Sequence, residues 1–184
     1  SNTLNGLFTD SKLFDFSVLN KLPEKRDGEI WLLTISHHYP HKNLEVIGEL
    51  VKTLPSKYKF IITVSSSYLN NIPEAYRNNV IAIGNVSVHQ CAPLYERCDA
   101  LFMPTLLECF SASYLEAMYM EKVIFTSDMP FAHTVCGDAA FYFDPYRIES
   151  IEKTIVNGFA DKKMLAQKVE NGAMLFKKFP SANT

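Results

Sequence analysis

The sequence predicts a doubly wound, Rossmann-like α/β domain: a parallel sheet of about six strands with helices on both faces. Three observations predict it. Six short apolar runs recur along the chain, helix-patterned segments separate several of them, and most runs are apolar along their length rather than at every second residue. Strands read that way when helices cover both faces of a parallel sheet.

Residues 1–28 are weakly patterned. SNTLNG and LPEKRDGE read as loop around the short KLFDFSVLN, so this stretch is an N-terminal extension or linker, and the domain runs over 29–184. IWLLTIS (30–36) has the length and branched content of a buried strand. KNLEVIGELVKTL (42–54) places Leu44, Ile47, Leu50, Val51 and Leu54 at helical spacing, and Pro55 stops it. YKFIITV (58–64) and NVIAIG (79–84) are the second and third strands. HQCAPLYERC (89–98) is a short helix with Pro93 near its start, and ALFMPT (100–105) the fourth strand. A helix opening at Ser111 follows, then strands over 122–127 and 139–144, and two amphipathic segments near 147–158 and 160–178 close the chain. An open doubly wound sheet binds ligands beyond the carboxyl ends of its strands. The loops 36–43, 64–73, 84–88, 104–112 and 127–134 therefore form the functional edge.

The chain has 184 residues, 47% hydrophobic and 21% charged, which is room for one well-buried core. A formal charge of -2, with no basic run longer than a pair such as Lys162-Lys163 or Lys177-Lys178, gives no reason to expect nucleic acid. No stretch has the apolar length of a membrane span, and no signal-peptide pattern opens the sequence. Cys91, Cys98, Cys109 and Cys136 form no CxxC pair and read as small buried thiols in a reducing compartment.

Two glutamates stand out. Glu116 is the single charge in the helix from Ser111 to Met120, and Glu108 stands eight positions upstream in the loop after the fourth strand. Glutamates eight apart are common by chance, and a Glu116 facing water would need no explanation. A carboxylate buried in an apolar helix, by contrast, requires a partner or a ligand. The amides of Phe110, Ser111, Ala112 and Ser113 form the helix N-terminus, whose partial positive charge and free N–H groups suit a phosphate. Neither GxGxxG nor GxxxxGK[ST] occurs, and no DxD is present to hold a divalent ion under a diphosphate.

In SHHYPHKN (36–43), His37, His41 and Lys42 are placed to surround an anion, although a solvated loop explains them as well. Lys42 is expected in the first turn of its helix, a poor place for a cation unless an anion answers it. The histidines flank a proline and have no carboxylate or cysteine beside them to complete a metal shell. Trp31, the aromatics of AAFYFD, Met118 and Met120 read as core. His89 and His133 show no partner in the sequence.

Assembled, these residues resemble the C-terminal, donor-binding domain of retaining GT-B glycosyltransferases of family four, the glycosyl transferases group 1. The family's motif of a glutamate, seven residues and a second glutamate followed by Ala-Met stands here as ECFSASYLEAM (108–118). Lys42-Asn43 fits its Lys-Asn, with His37 in place of an arginine. IGNVS (83–87), PLYERCDALFMPT (93–105), KVIFTSDMP (122–130) and GDAAFYFDP (137–145) match in order, so the likeness spans about 30–158.

The resemblance implies one half of a GT-B fold and a metal-independent transfer, with retention, of a sugar from a nucleotide diphosphate sugar to a glycan or lipid-linked acceptor. No cofactor beyond that donor is implied. Glu116 would bind the ribose hydroxyls and Glu108 would approach the donor sugar. Lys42, the catalytic partner of Glu108, would hold the diphosphate with His37 and the Phe110–Ala112 amides. Gly84 to Val86 would border the base. Cys109 and Ser111 replace the usual glycines of the phosphate loop, which limits backbone approach. Histidine in place of arginine exchanges a permanent charge for one that titrates at about 6.5 in ordinary surroundings, so tighter diphosphate binding is expected at pH 6 than at pH 8. The acceptor domain of GT-B enzymes has no counterpart in this sequence, so the fragment alone is expected to be inactive. The setting implied is cytoplasmic, with peripheral contact at the inner membrane face only through the missing domain. Two other functions fit the same fold: a non-catalytic nucleotide-sugar binding module, and a GT-B nucleotide-sugar epimerase.

Overall fold

The structure, a computed structural model, describes residues 6–108 and 111–179. Six parallel strands form one sheet: β1 (Ile30–Thr34), β2 (Tyr58–Ile62), β3 (Val80–Ala82), β4 (Ala100–Met103), β5 (Val123–Ser127) and β6 (Ala140–Phe143). Their spatial order is β3-β2-β1-β4-β5-β6, with Leu32 of β1 in register with both Phe60 and Ala100. The chain therefore winds outward from β1 to one edge, returns, and winds to the other from β4. Connections diverge at the β1/β4 boundary, which leaves a crevice beyond their carboxyl ends.

Strand alternation splits the interior in two. On one face Trp31, Leu33, Ile61, Leu101, Met103 and Ile124 pack under helices α3 (Val88–Arg97) and α4 (Ala112–Tyr119). On the other, Leu32, Phe60, Phe102, Phe125 and Phe143 meet Ile47 and Leu50 of α2 (Glu45–Thr53) and Ile151 and Ile155 of α6 (Ile148–Ala160). Helix α7 (Lys162–Phe176) lies against α4, where Gly172 faces Met118 so closely that a Cβ would stand 3.3 Å from its Cγ. Cys91, Cys98 and Cys136 are free and buried. Burial pushes the Cys91 and Cys98 thiols up to about 12. Cys109 lies outside the described residues.

Three expectations are corrected. The stretch before β1 is not all loop: α1 (Gly6–Thr9) and 3-10 turns at Ser11–Leu13 and Phe16–Lys21 lay fully buried Phe8 and Val18 on the α3 face. Asp10 and Asp15 cap those turns by accepting from Lys12 and Ser17 amides. The helix expected from Lys42 begins at Glu45, because Pro40–Lys42 is a separate 3-10 turn ended by Asn43 in the left-handed region (φ 54). Lys42 therefore does not oppose the dipole of α2. Finally, the loop expected over 127–134 holds the start of α5 (Pro130–Cys136), with proline at its first position and Gly137 (φ 46) past its end. His133 of that helix lies 2.6 Å from Asp128 Oδ1 and stacks on Tyr142, so it has the partners that the sequence did not show.

Candidate functional site

The strands hand over to loops one or two residues before the apolar runs end. Ile35 and Ser36 leave β1, Thr63 and Val64 leave β2, and Pro104 and Thr105 leave β4. These polar strand-end residues pin the loops. Thr63 Oγ1 accepts from the Ser36 amide (2.9 Å) and donates to the Ser36 carbonyl (3.1 Å). Thr105 Oγ1 donates to the His41 carbonyl (3.0 Å), which also accepts from the Leu106 amide (2.8 Å). The Asn43 amide donates to the carbonyls of Pro104 (3.2 Å) and Pro145 (3.1 Å), tying the loops after β1, β4 and β6 together.

Between these loops and the start of α4 lies a cleft of about 310 Å³. Its lining includes Ser36, His37, Lys42, Val86, Ala112 and Glu116, together with Ile35, Thr63, Asn85 and Ser113. A second depression of about 320 Å³, lined by Ser65, Ser66, Ala82, Ile83, Gly84 and Asn85, adjoins it through Asn85. Gly84 needs its left-handed φ of +77 to turn the chain out of β3. A larger hollow of about 470 Å³ lies elsewhere, between β3 and the segment before β1. Its Lys59 and Arg77 donate to the Asn78 and Ile72 carbonyls.

Glu116 is buried, with 8% of its surface exposed. Its Oε2 accepts from the hydroxyl of fully buried Tyr95 (3.2 Å), which also reaches the Ser113 carbonyl (3.1 Å). Its Oε1 has no hydrogen-bond partner among the described residues, and the residue lines the cleft. Burial pushes the carboxyl up from 4.5 to about 7, and the Tyr95 hydrogen bond pulls the other way.

Lys42 and Glu108, 66 residues apart, form a part-buried ion pair beside the cleft. The lysine charge is thus already answered, and an incoming anion must share it. His37 is exposed and also lines the cleft, its ring 6.0 Å from that of Tyr39. Ser111 caps α4, and Ala112 and Ser113 present its first turn to the cleft. Cys109 and Phe110 lie outside the described residues. Gly84 lines the adjoining depression rather than the cleft itself.

Sequence reading missed Ser36, Thr63 and Tyr95. For Ser36 and Thr63 a signal existed, since each is a polar residue at the carboxyl end of an apolar strand. For Tyr95 none did, because its contact with Glu116 spans 21 residues across two helices. Among the described residues no group of three or more histidine, cysteine, aspartate or glutamate side chains is arranged to hold a metal. Among them, too, no helix is long and apolar enough to cross a membrane.

The sequence model of glycosyl transferases group 1 matches residues 18–174, and the chain belongs to that family. It is 26% identical over 140 residues to the O-antigen chain mannosyltransferase RfbU of Salmonella typhimurium (strain LT2), covering 73% of this chain and 40% of that one. Among solved structures it is similar to WaaG, a glycosyltransferase involved in lipopolysaccharide biosynthesis (TM-score 0.75, 14% identity, 96% of this chain and 51% of WaaG). It is also similar to Anabaena HepE in complex with UDP and glucose (TM-score 0.71, 18% identity, 92% of this chain and 50% of HepE). The six-stranded Rossmann-like architecture is the one these GT-B neighbours share. The chain spans well under two thirds of the length of each of them.

Proposed function

We propose that this chain is the donor-binding part of a glycosyltransferase that moves a hexose from a nucleotide diphosphate sugar to a glycan or lipid-linked acceptor. The observation that carries this reading is Glu116, a buried carboxylate lining the cleft with one oxygen unpaired among the described residues. A vicinal diol, such as the ribose of a nucleotide, supplies the donors that oxygen lacks. The first turn of α4 stands beside it for the phosphates, and the adjoining depression at Gly84 and Asn85 offers space for a base. Family membership and the UDP complex of HepE support a nucleotide sugar. The names of RfbU and WaaG support a surface polysaccharide or lipid-linked acceptor.

In this reading the bond between the sugar and the diphosphate breaks with charge building on the leaving phosphate. Lys42 and the α4 N-terminus stabilise it without a metal ion, and the configuration at the anomeric carbon is retained. Lys42 first exchanges part of its bond to Glu108 for the phosphate, which turns the Glu108 carboxylate toward the sugar. Exposed Tyr39, Leu107 and Tyr146 stand on loops of this edge, facing where an acceptor or acceptor-binding partner would approach.

The test is calorimetric titration with UDP, GDP and ADP, alongside Glu116→Ala. Saturable binding of one nucleotide, lost in the variant, is expected. No binding to the folded protein refutes a self-sufficient donor site. The runner-up, a non-catalytic nucleotide-sugar module, is favoured by one observation: the cleft's lysine is neutralised before any ligand arrives. Turnover of a donor sugar by the full-length protein separates the two.

A further inference from the structure

Tyr95 lies behind Glu116, entirely buried, in a helix that takes no part in lining the cleft. Its hydroxyl has one hydrogen and two acceptors within reach, Glu116 Oε2 at 3.2 Å and the Ser113 carbonyl at 3.1 Å. The two protonation states of Glu116 use that hydrogen differently. A protonated Glu116 donates to the phenolic oxygen, and Tyr95 then donates to Ser113, so the chain of donors is complete. An ionised Glu116 requires the tyrosine hydrogen for itself.

We infer that Tyr95 is a positioning residue for Glu116: it fixes one carboxylate oxygen from behind, presents the other to the cleft, and couples occupancy of the cleft to the charge on Glu116. The inference rests on the cleft being a nucleotide site. A diol donating to Oε1 favours the ionised carboxylate, so binding sends one proton from Glu116 to solvent and turns the Tyr95 hydrogen from Ser113 to Oε2. The groups facing Glu116 are few. From α3 come Tyr95 and Cys91, the latter a thiol pushed up to about 12 by burial and so neutral throughout. From the cleft side come Lys42, paired with Glu108, and His37. His37 lines the same cleft, so the test uses a His37→Gln background.

The first measurement needs no ligand. In protein carrying 13C-labelled glutamate, the Glu116 carboxyl resonance is assigned by its loss in Glu116→Gln and titrated by NMR. Tyr95→Phe, which keeps the ring, is expected to raise the titration midpoint by about one pH unit, the worth of one hydrogen bond to a charged group. An unchanged midpoint overturns the inference. The second is titration calorimetry with UDP, GDP and ADP in buffers of unlike ionisation enthalpy. Release of up to one proton per site near pH 6 is expected. Affinity of Tyr95→Phe should be several-fold weaker at pH 7, with the deficit closing by pH 9. A deficit equal at every pH marks a merely structural tyrosine and refutes the coupling. If none of the three nucleotides binds, the nucleotide reading of the cleft fails, and the NMR midpoint still decides whether Tyr95 governs Glu116.

Discussion

Glu116→Gln should stabilise the protein at high pH and hardly at all at low pH. The folded carboxyl titrates at about 7 against an ordinary 4.5, a difference of two to three units. Folding therefore binds protons between those values. The raised value contributes stability that is fully present below about pH 4.5 and is lost as pH rises through about 7. At 1.36 kcal/mol per unit, the ionised carboxylate costs about 3 kcal/mol above pH 8. Glutamine keeps the shape, accepts from Tyr95 and never ionises, so it removes that cost. Urea unfolding of both proteins at pH 5, 6, 7, 8 and 9 reads the difference directly, because every other titrating group is common to both. The gap should open across pH 5–7 and level off at about 3 kcal/mol above pH 8. Curves that stay parallel from pH 5 to 9 would refute a buried, ionisable Glu116 and the vacant oxygen on which the functional reading depends.

Lys42→Met should strip the Glu108 carboxylate of its partner, lowering stability by about 1–3 kcal/mol at pH 7; in titrations it should weaken diphosphates far more than the matching nucleosides. Asn43→Ala loses two loop hydrogen bonds and puts at φ 54 a residue that tolerates the left-handed region less well than asparagine, so chemical denaturation should show a loss of about 2 kcal/mol, with Asn43→Gly less affected. Gly158→Ala in α6 would set a methyl 2.6 Å from the buried Phe125 ring, and its melting temperature should fall by the equivalent of about 1–3 kcal/mol.

The sheet was legible because each strand is apolar on both faces, as in FII of β2 and VIF of β5, and because helical spacing in 42–54 separates the first two strands. The strand ends were less so. Thr34, Ile35 and Ser36 look alike in a propensity reading, yet only the first pairs in the ladder. The turn at Pro40–Lys42 hid for another reason: the apolar spacing of α2 runs back smoothly through Leu44, and nothing in the sequence marks the left-handed Asn43 that breaks it. Phe8 and Val18 did not stand out as core because elements of four and six residues carry too few residues to show a period, and only the surface of α3 makes them core. At the site, Glu116 was visible as a charge out of place. The pairing of Lys42 with Glu108 was not, since it joins two loops that only the crossover from β1 to β4 brings together.

The two outer strands of the sheet, β3 with three residues and β6 with four, are its shortest together with β4. A short rim offers a neighbouring molecule few unpaired amides and carbonyls to extend. Once folded, the domain is therefore a poor template for edge-to-edge polymerisation. The hazard sits earlier. WLLT, FII and VIF all belong in the middle of the sheet, and each must find a parallel partner far along the chain before it is covered. Conditions that slow this search should yield aggregates from the nascent chain, whereas the finished domain should tolerate concentration.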